Sequence, residues 1–125
     1  MLGALAALAI TGCFGTTDTE GTGPLPQDAQ LVSRGADLYT ANCSVCHGSD
    51  LRGTATGPSL LSEVYEPNHH ADAAFLLAVQ RGSVAHHWSF GDMPPISGLA
   101  ADDVAAIVAF VRETQRAEGF EPYPP

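Results

Sequence analysis

The chain contains no lysine. Its 5 basic residues are all arginine and stand against 14 acidic ones, for a formal net charge of −9 over 125 residues. Nucleic acid is thereby excluded as a partner class, because phosphate contacts need clustered Lys and Arg. An acidic surface instead steers toward a basic docking face, an attraction that salt weakens. Long apolar runs are also missing, and none approaches the ~20 residues that span a bilayer. No stretch alternates apolar and polar residues as a half-buried strand does, and no segment repeats. Cysteine is scarce, with Cys13, Cys43 and Cys46 the complete set. An odd count points to a modified or unpaired thiol rather than a disulfide framework. The length suits one domain, and a domain this small is marginal without a staple.

What the chain does have begins with Leu2 to Ile10, a continuous run of Leu, Ala, Gly and Ile. Its length is that of a signal-peptide core, ~7–15 residues. Ile10-Thr11-Gly12-Cys13 follows at once. It resembles a bacterial lipobox, in which the cysteine is lipidated and the chain is cut just before it. That resemblance implies a signal peptide over 1–12 and a lipid on Cys13. The alternative is an ordinary signal peptide with an incidental cysteine. The positive charge that usually precedes such a core is reduced here to the amino group of Met1. Each buried CH₂ of a lipid contributes about 0.8 kcal/mol, so the two or three acyl chains of a lipoprotein give a slow-releasing anchor. Residues 13–29 are rich in Gly, Thr, Pro and acidic residues, lack an apolar period, and read as a flexible tether. The sixteen residues from Phe14 to Ala29 typically reach ~20–24 Å. The tether keeps a domain near a membrane and raises the effective concentration of any membrane-bound partner.

Three helices are expected over 30–120. Leu31, Gly35, Leu38 and Tyr39 share one face, and Asp28 is placed to cap a helix that runs into Asn42. A second helix is expected over 71–81, with Phe75, Leu76 and Val79 apolar, Arg81 complementing the dipole and Gly82 as a left-handed cap. His70 is placed to help start it. The strongest pattern spans 101–117, where Val104, Ile107, Val108 and Val111 form the apolar stripe. Asp102 and Asp103 lie in its first turn, Arg112 and Arg116 near its last, and Gly119 just beyond. Ala100 is a poor N-cap, which leaves Ser97 for that role. Residues 121–125 read as a frayed tail.

Cys43-Ser44-Val45-Cys46-His47 is the C-x-x-C-H pattern of c-type haem attachment. On a helical turn, two thiols at this spacing each reach a vinyl group on one porphyrin edge. The next residue then turns its imidazole toward the iron. Three other readings compete. A structural zinc site wants four N or S ligands, and no second C-x-x-C exists. A thioredoxin-like redox pair needs a βαβ context. A Cys43–Cys46 disulfide leaves His47 unexplained.

The chain here resembles the class I cytochrome c family over nearly all of residues 30–119. The resemblance rests on Gly35 and Tyr39, on Cys43 to Gly48, on Gly57-Pro58-Ser59-Leu60, on Gly91-Asp92-Met93-Pro94-Pro95, and on the last helix with Phe110. It implies an all-α, cytochrome c-like fold, with three main helices plus loops wrapped around one covalent haem c. It further implies that the first and last helices cross near Gly35, where Tyr39 and Phe110 pack. The Pro58 carbonyl is expected to accept a hydrogen bond from His47 Nδ1–H and so orient the iron ligand.

Met93 is the candidate distal ligand. Only two methionines exist, and Met1 belongs to the signal segment. A thioether favours Fe(II) and raises the potential relative to two imidazoles. The alternative is a Met filling a core gap. His69, His70, His86 and His87 are read as loop or rim residues, since two adjacent pairs do not by themselves specify a metal site. From the family layout, His87 or Trp88 reaches a haem propionate or closes the pocket. Arg52 and Arg81 are either propionate partners or solvated surface, and Ser49 and Asp50 are loop residues.

The function expected is electron transfer, not enzymatic turnover, because iron held by His47 and Met93 has no open position for substrate. Redox proteins, membrane respiratory complexes or periplasmic oxidoreductases, are the expected partners. The expected location is the periplasm or the outer face of a bacterial cytoplasmic membrane, through a lipid anchor. The alternatives are a haem subunit of a larger oxidoreductase or oxidase, and a haem sensor or catalyst with a displaceable distal ligand.

Overall fold

A computed structural model of the chain describes residues 27–119. The signal segment, Cys13, the tether as far as residue 26 and the tail from residue 120 lie outside the described residues. The elements run in the order α1 (Ala29–Asn42), α2 (Ser44–His47), a single 3₁₀ turn (Glu63–Tyr65), α3 (Asp72–Arg81) and α4 (Ala101–Ala117). Among the described residues no strand forms, and one antiparallel bridge joins Ser83 to Met93.

Helix α1 starts where its cap is. The Asp28 carboxylate accepts from the Leu31 N–H at 2.9 Å, which satisfies one of the orphan donors of a helix start. Helix α4 is capped differently from expectation. Ala100 is the N-cap, and Asp103 reaches back to accept from the Ala100 N–H at 2.9 Å. This is the reciprocal half of a capping box, so the carboxylate does the work and Ser97 is not the cap.

Helices α1 and α4 cross so closely that only glycine fits. A Cβ on Gly35 would lie 1.9 Å from the Ala106 carbonyl oxygen. The aromatic pair beside the crossing, Tyr39 and Phe110, has ring centroids 5.4 Å apart. One core cluster gathers Tyr39, Leu51, Leu60, Leu61, Ile107 and Val111, and a second joins Val79 of α3 to Val104 and Val108 of α4. Leu51 adopts φ 63° although it is not glycine. A left-handed backbone at such a residue costs on the order of 1–3 kcal/mol. Its side chain is 1 % exposed, and burying a leucine contributes about 1.5–3 kcal/mol, enough to offset that cost.

Arg112 departs furthest from expectation. It is not a solvated cation at a helix end but is 1 % exposed in the core. Its guanidinium donates to Asp72 (2.8 Å), to the carbonyls of Tyr65 and His70 (2.6 Å each) and to Gln115 (2.8 Å). Its charge also lies 5.0 Å from the centre of the Phe75 ring. Gln115 in turn donates to the carbonyls of Leu60 and Tyr65. A loop packed against a core must find donors for its carbonyls, and these two α4 side chains supply them for 60–70.

Replacing Gly35 by valine forces α1 and α4 apart. The expected cost is about 3 kcal/mol or more, seen as a thermal unfolding midpoint lowered by more than about 10 °C. An unchanged midpoint would show that the crossing is not closely packed.

Candidate functional site

The helices and loops enclose a cavity of about 380 Å³. Its lining is mostly apolar and contains no Asp, Glu, Lys or Arg. One part of the wall comes from α1 and α2, through Tyr39, Cys43, Cys46 and His47. Helices α3 and α4 add Phe75, Val79, Val104, Ile107 and Val111. The loop between them adds Met93, Trp88 and Phe90. Cys43, Cys46 and His47 on one side and Met93 on the other, half the domain apart in sequence, therefore face one space.

The α1 end is positioned by a continuous chain of hydrogen bonds. The Cys43 N–H donates to the Tyr39 carbonyl at 2.8 Å, which closes α1, and the His47 N–H donates to the Cys43 carbonyl at 3.0 Å. The Tyr39 hydroxyl is buried and donates to the Gly48 carbonyl at 2.7 Å, tying the helix to the residue after His47. His47 Nδ1 lies 2.9 Å from the Pro58 carbonyl oxygen. A carbonyl only accepts, so Nδ1 carries the proton and Nε2 keeps its lone pair.

The two thiols are not joined to each other. Burial, reinforced by Cys46, pushes the Cys43 thiol up to about 11. It is therefore a neutral thiol near pH 7. Thiol–disulfide enzymes need the opposite, a depressed thiol pKa in an electropositive setting. The cluster of metal-ligating groups found among the described residues is His69, His70 and His87, and it includes neither Cys43 nor Cys46. Neither the redox-pair nor the zinc reading of C-x-x-C-H gains support.

Met93 is held by its backbone. Its N–H donates to the Ser83 carbonyl at 2.8 Å, and its carbonyl accepts from the Ser83 N–H at 2.9 Å. Next to it, the Asp92 carboxylate accepts from the Ala85 N–H at 2.9 Å, and the Ile96 N–H donates to the Val79 carbonyl at 2.8 Å. Gly82 ends α3 as expected, but its φ of 77° and ψ of 178° are not the left-handed helical conformation. They lie in a region essentially reserved for glycine. A Cβ there would sit 2.6 Å from the Met93 carbonyl oxygen, so Gly82 both ends the helix and admits the Met93 backbone.

The remaining expected residues scatter. Arg52 pairs with Glu118 at 3.0 Å, and neither Arg52 nor Arg81 lines the cavity. The Trp88 indole contacts the Tyr65 hydroxyl, whose pKa is raised mainly by burial. The indole N–H is the donor of that pair. His70, His86 and His87 line the cavity, and His70 Nδ1 is bonded to the Val64 carbonyl instead of capping α3. Loss of hydration, followed by the charges of His86, His69 and His70, pushes the His87 pKa down.

The family model described as Cytochrome c matches residues 32–115. The chain belongs to the cytochrome c family. A cytochrome CL from the marine methylotrophic bacterium Methylophaga aminisulfidivorans is similar in fold, with a TM-score of 0.55 and 22 % identity. That match covers 78 % of this chain and 71 % of the other. The cofactor of a cytochrome c is a covalent c-type haem with its iron, and the work of such a protein is haem-based electron transfer. The residues present fit that group: two unjoined thiols, an imidazole with one nitrogen free and a thioether all line one mostly apolar cavity.

Burial holds the Tyr39 phenol well above its ordinary range. A group whose pKa is raised on folding stabilises the fold below its unfolded value and loses that contribution as pH rises toward the folded one. Stability should therefore fall above about pH 10, the unfolded value for tyrosine. Tyr39→Phe should cost about 1–2 kcal/mol at pH 7, because the buried Gly48 carbonyl loses its donor, and should flatten the alkaline fall. Thermal melts at pH 7 and pH 11 measure both effects.

Proposed function

We propose that this cytochrome c is a one-haem electron shuttle, tethered by a lipid on Cys13 to the outer face of a bacterial membrane. In this reading Cys43 and Cys46 carry the thioether bonds, and His47 and Met93 are the two axial ligands. The bound haem supplies a one-electron couple at its iron. The observation that carries the proposal is that Cys43, Cys46, His47 and Met93 line one cavity. The Pro58 carbonyl fixes the His47 tautomer and leaves Nε2 for the metal. The Ser83 pairing and the close approach at Gly82 hold the Met93 backbone in a defined place, so less of the chain need be ordered when its sulfur binds.

The mostly apolar wall offers no carboxylate or amine for proton transfer. With both axial positions filled by protein, a substrate has no place to coordinate, and the site moves charge without transforming a molecule. A thioether opposite an imidazole sets a higher potential than two imidazoles. The partners are redox proteins, membrane respiratory complexes or periplasmic oxidoreductases. The net charge of −9 favours a basic docking face on them.

Reduced wild-type protein should resist carbon monoxide, and its oxidised form should show the long-wavelength sulfur-to-iron charge-transfer band. Met93→Ala should abolish the band and admit carbon monoxide. An unchanged band in that variant excludes Met93 as ligand. Cys13→Ser should move the protein from the membrane fraction to the soluble fraction on cell fractionation. Retention on membranes excludes the lipid anchor.

A further inference from the structure

Four histidines gather at the rim of the haem cavity, and the electron-transfer reading uses none of them. They come from two segments. His69 and His70 follow the 3₁₀ turn, and His86 and His87 lie in the loop that the Ser83–Met93 bridge closes. Three of them, His69, His70 and His87, each offer a ligating nitrogen, and those nitrogens all lie within 4.8 Å of one another. The rings of His69 and His70 are stacked at 4.9 Å and 11°, and the His87 ring meets them edge-on at 5.1 and 5.3 Å.

We propose that His69, His70 and His87 form a binding site for one divalent ion of the zinc–copper class. The donor set decides the class. Neutral imidazole suits zinc, copper and nickel, whereas magnesium and calcium want oxygen ligands. Three histidines with a fourth position open to water are a known zinc arrangement. With Zn–N distances of ~2.0–2.1 Å, tetrahedral ligands stand about 3.4 Å apart. Side-chain rotation of roughly an ångström closes the present spacing to that value. His69 and His87 are exposed, so an ion can reach them.

His70 carries the marks of a pre-set ligand. Its Nδ1 lies 2.6 Å from the Val64 carbonyl oxygen, which fixes the proton there and leaves Nε2 free. A backbone carbonyl holding the second ring nitrogen is the usual support of a metal-bound histidine. The backbone of His70 is held as well, because its carbonyl accepts from the buried Arg112 at 2.6 Å. The competing explanation is that the four rings merely stack. Stacking accounts for the ring spacing, but it does not account for the His70 Nδ1 bond to the Val64 carbonyl, which leaves Nε2 free as a ligand.

The test uses the full, haem-loaded protein and Zn²⁺ in competition with a coloured chelator, with Mg²⁺ as the hard-ion comparison. One Zn²⁺ per chain should bind and Mg²⁺ should not. His69→Ala and His87→Ala should each weaken zinc binding by about tenfold or more, since even loss of an outer-shell partner costs roughly 10–100-fold. His86→Ala should change it less than about threefold, a threshold below that same range. No zinc uptake by the wild type overturns the proposal. So does unchanged affinity in His87→Ala, or an equal loss in His86→Ala, which would assign the ion to another set. His69 does not line the cavity, so the haem absorption spectrum of zinc-free His69→Ala should match the wild type. A shifted spectrum in His69→Ala would mean that this residue acts at the haem, which overturns the zinc assignment separately from any result at Met93.

Discussion

The close crossing of α1 and α4 at Gly35 is the contact on which the rest depends. A single missing side chain lets the Ala106 backbone sit where a Cβ would be. That approach fixes the direction in which α1 points when it ends at Asn42. Residues 43–47 follow immediately, so the orientation of the thiols and of His47 is inherited from the crossing. Tyr39 transmits it further. It packs on Phe110 of α4 with one face and donates to the Gly48 carbonyl with its hydroxyl. An error of packing at Gly35 becomes an error of position at the haem site.

The rest of the cavity is loop, and loops do not hold themselves. Between α2 and α3 the chain is fastened from below by α4, through Arg112 and Gln115. A buried guanidinium carries a large desolvation cost unless its donors are satisfied. Here it finds an aspartate, two backbone carbonyls and an amide oxygen, and Phe75 lies near its charge. Between α3 and α4 the fastening is by backbone, through the Ser83–Met93 pair and the bond from Ile96 to Val79. The helices thus serve as a frame, and polar bonds set the two loops that complete the cavity. The histidine cluster stands where those loops meet, so a metal held there would join them.

Much of the frame was legible because it follows from local rules. The three long helices show as apolar periodicity, and their ends show as Asp28, Gly82 and Asp103. The C-x-x-C-H spacing names its chemistry by itself, because few arrangements need two thiols and an imidazole in five residues. Other features were misjudged for definite reasons. Arg112 sits where a helix end favours a cation, and nothing local reveals that carbonyls 40 to 50 residues away are waiting for donors. Asp103 shows in the sequence as a dipole charge in the first turn, whereas in the fold its carboxylate also accepts from the N–H of the N-cap Ala100. Leu51 gives no warning of its positive φ, since the burial that offsets the cost comes from distant partners.

The sequence alone determined the helix frame and the C-x-x-C-H motif, since period, cap and spacing act over a few residues, and its resemblance to the cytochrome c family implied the fold class. It also supplied Met93 as the candidate for the distal position by elimination. Only the tertiary structure decided that Met93 lines one cavity with Cys43, Cys46 and His47, that Gly82 makes room for the Met93 backbone, and that Arg112 is a core residue. The same holds for the histidines. As two adjacent pairs they specify nothing, because neighbouring side chains on one backbone cannot supply three converging ligands. The fold brings His87 across to His69 and His70, and convergence in space, not adjacency in the chain, makes a ligand set.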